Sequence, residues 1–305
     1  MESRVRGVLD ALIAVTLWSL GVVLVKFLSL FYDAFTQNFF RYASASLFLL
    51  AFAAKKEGGR LGVVARKSLL LVPFVLSFQT LWVMGVYLTK AAIVAFVIRL
   101  STVVVSVLAY VLFRDERELV SSPRYILGLL LSLAGVAGLT VRPGASVWID
   151  EGAVLALMGA LAWALYSVLA KAALRDTSPV SLSATTFALT TPGLGVLALA
   201  AGRPQEVARP GPQVLALLIA SGIVSVGIGN VAFFAATREV GAALPSALQL
   251  LIPLLTAILA HTLLGEEIDY SEALFGALIL AGCALIVNER LKGPWSQGRA
   301  QHARG

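Results

Sequence analysis

The chain has 305 residues, of which 59% are hydrophobic and 13% are charged, whereas a soluble domain carries roughly 25% charged residues. This composition, with a mean hydropathy of +0.88, excludes an ordinary soluble protein and indicates a chain that folds mainly in lipid. The formal net charge of +7 does not indicate a nucleic-acid partner, because the basic residues follow the predicted topology instead of forming one patch.

The predicted elements are ten apolar segments, each close to the ~20 residues that a helix needs to cross a hydrocarbon core. Their apolar runs are continuous and lack the alternation of a membrane β-barrel, so we expect helices. The sequence therefore predicts an all-α integral membrane protein with ten transmembrane helices, with nine or eleven as alternatives because few residues mark the turns near Lys90 and Arg238. In chain order the segments cover residues 8–28, 34–54, 68–88, 91–113, 124–142, 152–171, 181–200, 213–236, 240–264 and 270–288.

The basic residues predict the orientation of the chain. Most of the 24 lysines and arginines lie in connections on the side of the N-terminus, and only Lys90, Arg142, Arg203 and Arg209 fall in connections on the other side. By the positive-inside rule both termini are cytoplasmic. We expect a multi-pass protein of the inner or plasma membrane whose partners are the bilayer and a small-molecule substrate. Its sequence does not define an oligomeric state and is compatible with a monomer.

The second half of the chain repeats features of the first half. Trp18 and Lys26 are eight residues apart, and Trp163 and Lys171 repeat that spacing. Five spans per copy is an odd number, so the two copies must lie in opposite orientations, as in many secondary transporters. Small residues in the fifth and tenth segments predict close helix contact; they are Gly128, Gly135, Gly276 and Gly282. The predicted units are a first five-helix repeat, a second, inverted five-helix repeat and a disordered polar tail, at residues 1–145, 146–290 and 291–305.

In the order of these features the chain resembles the EamA-type drug/metabolite transporter superfamily over nearly its full length. The residues that carry the resemblance are Trp18, Lys26, Arg41, Trp163, Tyr166, Lys171, Pro253, Leu263-Leu264-Gly265-Glu266 and the stretch from Gly276 to Gly282. The resemblance implies ten helices around a central cavity, two inverted repeats and movement of small metabolites, often outward. The first copy departs from the pattern: Val103 stands at the position of Pro253, and Arg114-Asp115 precedes Glu116 in place of Leu-Gly.

Arg99 is the most informative candidate for substrate binding. It lies about 12 Å by helical rise from the outer end of the fourth segment, where a charge costs at least roughly 2.5 to 3.5 kcal/mol unless it faces a wet cavity or a partner. Gln249 occupies the corresponding position in the second copy, so we expect both side chains to face a central cavity. A guanidinium there can grip a carboxylate or phosphate with two parallel hydrogen bonds.

Two further cations lie in the same half of the first repeat. Arg41 lies at a similar depth in the second segment, and Lys26 lies near the outer end of the first. One interpretation is that Arg41 joins Arg99 on an anionic substrate. The alternative is that Arg41 braces neighbouring helices and that Lys26 extends to the lipid headgroups.

Other side chains are candidates for the rest of the cavity. Gln79 in the third segment corresponds loosely to Asn230 in the eighth. The aromatic residues Trp18, Trp163 and Tyr166 either form apolar walls of the cavity or pack between helices.

The function predicted from these features is secondary transport. No carboxylate lies in the middle of a predicted span, which argues against a carboxylate proton relay and favours facilitated transport or exchange. The chain has no paired-histidine zinc motif, no phosphate-binding glycine loop and no cysteine cluster, so we expect neither an enzyme nor a primary pump, and no metal or cofactor.

We expect a carrier that moves small organic metabolites by alternating access and binds an anionic group at Arg99. One alternative is an exporter of neutral or aromatic amino acids or hydrophobic drugs, with the aromatic residues meeting the ligand. A lipid flippase and a non-transporting membrane scaffold are alternatives from another class.

Overall fold

The computed structural model describes residues 2–57, 61–89, 91–140, 150–264 and 270–292, which are almost entirely helical and contain no β-strand. Their α-helices are α1 (Glu2–Leu28), α2 (Ala34–Glu57), α3 (Leu61–Leu69), α4 (Val72–Leu88), α5 (Ala91–Arg99), α6 (Ser101–Leu112), α7 (Arg114–Ser121), α8 (Pro123–Thr140), α9 (Glu151–Ala173), α10 (Pro179–Ala201), α11 (Pro212–Ser221), α12 (Gly229–Val240), α13 (Ala243–Leu248), α14 (Ile252–Leu264) and α15 (Tyr270–Lys292). Short 3₁₀ segments cover Pro204–Glu206 and Gln249–Leu251, and a π-helical segment covers Gly222–Ile228. Two predictions concern residues outside the described ones. One is the disorder of the polar tail beyond Lys292, and the other is Glu266, which corresponds to Glu116 in the second half of the chain.

Within these residues, eight helical stretches are long and apolar enough to cross a membrane. They are Glu2–Leu28, Ile93–Leu112, Pro123–Thr140, Glu151–Ala173, Pro179–Ala201, Pro212–Val240, Ala243–Leu263 and Tyr270–Lys292. A ninth follows if α3 and α4, which meet at a bend of 54°, form one broken span. Helix α2 has the length of a span, but its polar residues, Gln37, Asn38 and Arg41 among them, lower its hydropathy. The chain is thus a multi-pass helical membrane protein.

Two predicted spans are interrupted in their middle only by a short 3₁₀-type turn, across which the backbone stays right-handed helical; the sequence analysis did not foresee this. The fourth breaks at Leu100, where i→i+3 bonds from Leu100 N–H to Val97 O and from Val103 N–H to Leu100 O tighten the helix. The ninth contains the 3₁₀ segment Gln249–Leu251. Pro253 then lies in the first turn of α14, where its missing N–H costs no helical bond. A 3₁₀ stretch inside a helix often marks a functional hinge.

Helices from the two halves of the chain pack in pairs. The most extensive contacts join α1 to α12, α2 to α10, α4 to α9, and α8 to α15. Each pair brings together one helix from before residue 141 and one from after residue 150. The two halves therefore interlock, and the space between them is where the polar residues of both halves can meet.

Glycines allow the backbones of α8 and α15 to touch, as their spacing predicts. A Cβ at Gly282 would lie 2.4 Å from the Gly128 carbonyl oxygen and 2.3 Å from Ser132 Oγ, and a Cβ at Gly128 would lie 2.5 Å from the Gly282 carbonyl oxygen. Helix association in lipid depends on such close backbone approach, because there is no hydrophobic driving force between helices in the bilayer.

Replacing Gly282 by alanine should therefore destabilise the protein. We expect a cost of about 1–3 kcal/mol, typical of overpacking, seen as a lower melting temperature of the purified protein. Gly62→Ala in α3 is the matched control, since a Cβ there meets nothing within 4 Å, and it should leave the melting temperature unchanged or raise it. Equal melting temperatures for Gly282→Ala and the wild type would contradict the close contact.

Asp33 closes the connection between α1 and α2. Its carboxylate accepts a hydrogen bond from Thr36 N–H in the first turn of α2 (2.9 Å) and one from Arg203 N–H in the second half of the chain (2.9 Å). Burial raises the pKa of this carboxyl, but the hydrogen bonds from Thr36 and Arg203 outweigh burial and bring the pKa below its ordinary value of 3.8. The ionised carboxylate thus caps α2 and ties two loops together.

This lowered pKa predicts a pH-dependent contribution to stability. A group with a depressed pKa stabilises the fold above its unfolded pKa and loses that effect as the pH falls through the folded value. We expect Asp33→Ala to cost about 1 kcal/mol at neutral pH, the usual value of a helix cap. The difference in melting temperature between wild type and Asp33→Ala should shrink as the pH is lowered below 4; a difference that does not change with pH would contradict the assignment.

Candidate functional site

A central cavity of about 210 Å³ lies between the two halves of the chain. Its walls come from α1, α2, α4, α5, α9, α10, α12, the π-helical segment and the interruption in the ninth span. Its lining residues are Trp18, Gly21, Val22, Val25, Asn38, Arg41, Tyr42, Phe78, Gln79, Trp82, Ile98, Arg99, Trp163, Phe187, Ser225, Val226, Asn230, Gln249 and Ile252.

All but one of the residues predicted to bind substrate line the central cavity. They are Trp18, Arg41, Gln79, Arg99, Trp163, Asn230 and Gln249. The exception is Tyr166, which is 1% exposed and does not line the cavity but lies behind the wall, where its ring packs against Trp163 at a centroid distance of 5.5 Å. Lys26 is exposed near the end of α1 and is not among the lining residues. The structure thus brings the predicted residues together, while their role in substrate binding stays a prediction.

Arg99 and Gln249 lie at the two helix interruptions. Arg99 is the last residue of α5, immediately before the break at Leu100, and Gln249 begins the 3₁₀ segment between α13 and α14. The positions correspond in the two halves of the sequence, so the interrupted spans present one polar side chain each to the same cavity.

The guanidinium of Arg99 has no partner among the residues that the structure describes. Across the described parts of the chain it makes no hydrogen bond and no ion pair, and its Nε is buried. An isolated charge in such surroundings is expensive, and this charge is not neutralised by the residues that line the cavity, none of which is acidic. Arg99 is therefore a buried cation without a counter-ion among the described residues.

Three other lining residues also have a buried N–H group without a partner. These groups are Arg41 Nε, Trp163 Nε1 and Gln249 Nε2. Buried polar groups are normally hydrogen-bonded, so each exception calls for an explanation. These three nitrogen atoms lie behind the surface of the cavity, out of reach of solvent.

A second set of polar residues in the cavity is already engaged within the protein. Asn38 Nδ2 donates to Gln79 Oε1 (3.2 Å), and Gln79 Nε2 donates to the Tyr42 hydroxyl oxygen (2.7 Å). On the other wall, Asn230 Nδ2 donates to Ser183 Oγ (3.0 Å) and to the Tyr166 hydroxyl oxygen (3.4 Å). These networks hold the walls of the cavity in place.

Arg41 both braces the structure and lines the cavity. Its Nη2 donates to Ser225 Oγ (2.7 Å) in the π-helical segment. A Cβ at Gly222 would lie 2.4 Å from the Arg41 carbonyl oxygen, and a Cβ at Gly21 would lie 2.6 Å from Ser225 Cβ. Helices α1 and α2 and the π-helical segment are therefore in close contact here. The bracing interpretation is therefore present in the structure, and it uses one donor of the guanidinium while Nε remains unpartnered.

Aromatic rings form the apolar part of the cavity wall. Trp18 meets Trp163 edge-on at a centroid distance of 5.6 Å, and Phe78 lies 5.0 Å from Trp163. Trp18 also packs on Phe233 at 5.1 Å. The two tryptophans that mark the repeats thus contact each other across the halves of the chain, and they serve both as packing residues and as wall.

Glu116 forms a buried ion pair with Lys171 next to the start of α13. The sequence analysis did not identify this interaction. Glu116 is 0% exposed; its carboxylate accepts hydrogen bonds from Ala242 N–H and Ala243 N–H (2.8 Å each) and pairs with Lys171 Nζ at 2.5 Å. The turn before α13 has a positive φ at Gly241 (83°). Helix α13 leads directly to Gln249, so this ion pair anchors the element that carries a cavity residue.

Several cavity residues were not singled out from the sequence. Asn38, Arg41 and Tyr42 occupy positions i, i+3 and i+4 of α2. This spacing places the three side chains on one face of the helix. That periodicity is a signal that could have identified them. Ser225 had no comparable signal, because its partner Arg41 is 184 residues away in the chain.

The fold and the site define the class of the protein, a multi-pass helical membrane protein with a central cavity. The model of the EamA-like transporter family matches residues 5–141 and 150–288, and the chain belongs to this family. It is accordingly a transporter, consistent with the drug/metabolite superfamily, and not an enzyme. The resemblance drawn from the sequence is confirmed.

Relatives of similar length carry the same general description. An uncharacterized transporter of Archaeoglobus fulgidus is 30% identical over 286 residues, which cover 90% of this chain and 95% of the relative. An uncharacterized transporter of Haemophilus influenzae is 23% identical over 293 residues, with 91% and 96% covered. A solved structure described as "Crystal structure of protein" has a TM-score of 0.76 at 18% identity and covers 95% of this chain and 100% of its own. That likeness shows the fold.

Proposed function

We propose that the protein is a secondary transporter that moves a small organic anion across the cell membrane by alternating access. The observation that carries this proposal is the guanidinium of Arg99 in the central cavity, which has no partner among the described residues. A carboxylate or phosphate would supply the missing counter-charge through charge-assisted hydrogen bonds. The cavity also favours a carrier over a non-transporting scaffold, which would need no such space.

The proposed architecture is ten helices in two inverted repeats of five, at residues 1–145 and 146–290. Support comes from the family model, which matches the chain twice, and from the helix pairs. If α2 and the bent pair α3–α4 each cross the membrane, exchanging the two repeats converts the α1–α12 contact into the α4–α9 contact and leaves the α2–α10 and α8–α15 contacts unchanged. That pattern is expected for two halves related by a pseudo-twofold axis.

The proposed location is the inner or plasma membrane, with both termini in the cytoplasm. It depends on the excess of lysine and arginine in the connections on the N-terminal side. A reporter that is active only in the cytoplasm, fused to either terminus, tests the orientation. Inactive fusions at both termini would mean that the orientation is opposite to the one proposed.

The experiment that tests transport is a metabolite screen followed by flux. Purified protein is heated with a library of organic anions, neutral amino acids and hydrophobic drugs, and binding is read as a raised melting temperature. Compounds that stabilise the protein are then tested for uptake into proteoliposomes. We expect saturable uptake of an organic anion without ATP. The absence of protein-dependent flux for every stabilising compound would overturn the proposal.

The second candidate function is export of neutral or aromatic amino acids or hydrophobic drugs, and the aromatic wall formed by Trp18, Phe78 and Trp163 favours it. Flux of such a compound that organic anions fail to inhibit would select this alternative. A lipid flippase would instead move labelled lipid between the leaflets of the same vesicles.

A further inference from the structure

The two tryptophans that mark the repeats make equivalent contacts beside the central cavity. In the alignment of the third and eighth predicted spans, Phe78 corresponds to Gly229. The Phe78 ring lies 5.0 Å from the Trp163 ring, and the Gly229 backbone lies against Trp18, where a Cβ would come within 2.9 Å of Nε1. Equivalent positions of the two halves therefore pack on equivalent tryptophans.

The amide side chains of the same two spans follow this correspondence. Gln79 accepts a hydrogen bond from Asn38 Nδ2 (3.2 Å), and its counterpart Asn230 donates one to Ser183 Oγ (3.0 Å). Aligning the two tryptophans also places Asn38 over Ser183, so the partners correspond as well. A contact that is made in one half and not in the other therefore marks a place where the two halves are arranged differently.

Trp82 and Phe233 are such a place. They are equivalent in the same alignment. Phe233 is 0% exposed, and its ring lies 5.1 Å from the Trp18 ring and 5.9 Å from the Trp163 ring. Trp82 lines the cavity and, among the described residues, makes no ring contact with either tryptophan. One position of the repeat thus packs on the tryptophan pair in the second half and stands apart from it in the first.

The two ends of the protein differ accordingly. Helix α9 runs from an end at which Thr89 Oγ1 donates to Asp150 Oδ2 (2.6 Å), here called the Thr89 end, to the end that carries Lys171, here called the Lys171 end. Val22 and Ser167 are equivalent positions that lie beyond their tryptophans, toward the Thr89 end and the Lys171 end respectively. Val22 is 44% exposed and lines the cavity, whereas Ser167 is 0% exposed. The cavity therefore extends toward the Thr89 end, and the Lys171 end is closed.

Further aromatic side chains fill the Lys171 end. Tyr166 is 1% exposed, and its ring lies 5.6 Å from the Phe234 ring. The equivalent positions in the first half are Gly21 and Val83, which supply no ring at the Thr89 end. Closure at the Lys171 end buries more aromatic surface and is therefore the more stable arrangement.

We propose that Trp82 is the gate residue of the Thr89 end: when the cavity opens at the Lys171 end, Trp82 packs against Trp18 and Trp163 as Phe233 does in this structure. In a carrier built from inverted repeats, equivalent residues make the closing contacts at the two ends in the two opposite states, because a pseudo-twofold axis relates the halves. This inference rests on the proposed alternating access and names a side chain that carries it out.

Two single-cysteine reporters test the inference on the full-length purified protein. The native Cys283 is replaced by alanine, and a cysteine is introduced either by Val22→Cys or by Ser167→Cys, at the two equivalent positions. The probe is sulfonatoethyl methanethiosulfonate, a small water-soluble thiol reagent, and the rate of modification is measured by mass spectrometry. A buried thiol reacts in proportion to the population of the state that exposes it. Val22→Cys should therefore react fast and Ser167→Cys slowly.

Trp82→Ala should lower the reaction rate of Ser167→Cys at least about 10-fold and leave that of Val22→Cys high. The variant removes the ring that closes the Thr89 end, so the state open at the Lys171 end becomes less populated. Trp82→Phe should restore the rate, since a phenylalanine fills the equivalent position in the second half. Met84→Ala, at a 41% exposed position of the same helix, is the control and should leave both rates unchanged. A merely structural role of Trp82 would loosen the protein and raise both rates.

Trp82→Leu, which keeps apolar bulk without a ring, replaces Trp82→Ala if that variant does not fold, and it should give the same fall. The native Cys283, which is 4% exposed and lies beside Ser132 of α8, reports global unfolding in the unmodified protein and should stay unreactive. An unchanged or raised rate of Ser167→Cys without the Trp82 ring, or a fall that Trp82→Phe does not reverse, would overturn the inference and leave alternating access intact. If Ser167→Cys reacts no faster than Cys283, the Lys171 end does not open, and the proposed alternating access fails as well.

Discussion

Arg99→Ala should reduce uptake of the transported anion to background while the protein remains folded. A hydrogen bond to a charged group contributes about 1.5–3 kcal/mol, so affinity should fall by roughly 10- to 150-fold, and more if both nitrogen atoms of the guanidinium fork contact the ligand. The melting temperature without ligand should stay the same or rise, because the variant removes a charge that has no partner among the described residues and whose burial is costly. The measurements are flux into proteoliposomes and melting temperature with and without the anion.

Two further variants define what Arg99 contributes. Arg99→Lys keeps the charge but cannot form two parallel hydrogen bonds, so we expect weak residual binding. Arg209→Ala is the matched control: it removes a guanidinium whose side chain is 79% exposed and pairs only at the surface with Glu206, and it should transport normally. Uptake by Arg99→Ala at the rate of the wild type would disprove the role assigned to Arg99.

Glu116→Ala should cause the largest loss of stability of any variant considered for this protein. It would leave Lys171, whose side chain is 10% exposed, without its closest partner and would free two backbone N–H groups, on Ala242 and Ala243. Removing one partner of a buried ion pair typically costs about 3–5 kcal/mol. We expect low yield of monodisperse protein and a melting temperature well below that of the wild type.

The neighbouring acid provides the control for this prediction. Asp115 also contacts Lys171, at 2.9 Å, but its side chain is 53% exposed, so Asp115→Asn should change stability by less than about 1 kcal/mol. In the double variant Glu116→Ala/Lys171→Met both charges are absent, and part of the lost stability should return. If Glu116→Ala and Asp115→Asn have equal effects, the buried ion pair does not anchor α13.

The anchoring of α13 links stability to function. Glu116 holds the start of this helix, and Gln249 follows its end, so a change at the ion pair alters the position of a cavity residue. Under the proposed alternating access, the interrupted ninth span is the element through which one end of the protein and the cavity influence each other. Variants of Glu116 that still fold should therefore affect flux as well as melting temperature.

Much of the candidate site could be predicted from the sequence. Arg99 stands in an apolar run where contact with lipid is too costly, so it had to face a cavity or a partner. Gln249 could be added because it corresponds to Arg99 in the second half of the chain, and the structure places both in one cavity. Such predictions succeed because they depend on the cost of a polar group in hydrocarbon, which a local stretch of sequence already defines.

Other features could not be predicted in this way. No proline or glycine lies between Val97 and Val103, so the interruption at Leu100 has no local sequence signal. Tyr166 was expected among the substrate-binding candidates, but its ring lies behind the wall and its hydroxyl accepts from Asn230. The pairing of Lys171 with Glu116 joins residues 55 positions apart, and spacing within one helix does not reveal it.

The sequence by itself determined that this protein is a helical membrane protein of the EamA-like transporter family and indicated which polar residues avoid lipid. Hydropathy and segment length are local properties, and they are sufficient for the membrane class; the family rests on the order of its characteristic residues. The tertiary structure alone decided which polar groups satisfy one another and which stay unpaired among the described residues. Gln79 is engaged by Asn38 and Tyr42, while Arg99 Nε and Gln249 Nε2 have no partner in the described parts of the chain. The physical reason is that hydrogen bonding between side chains depends on partners brought together from distant parts of the chain.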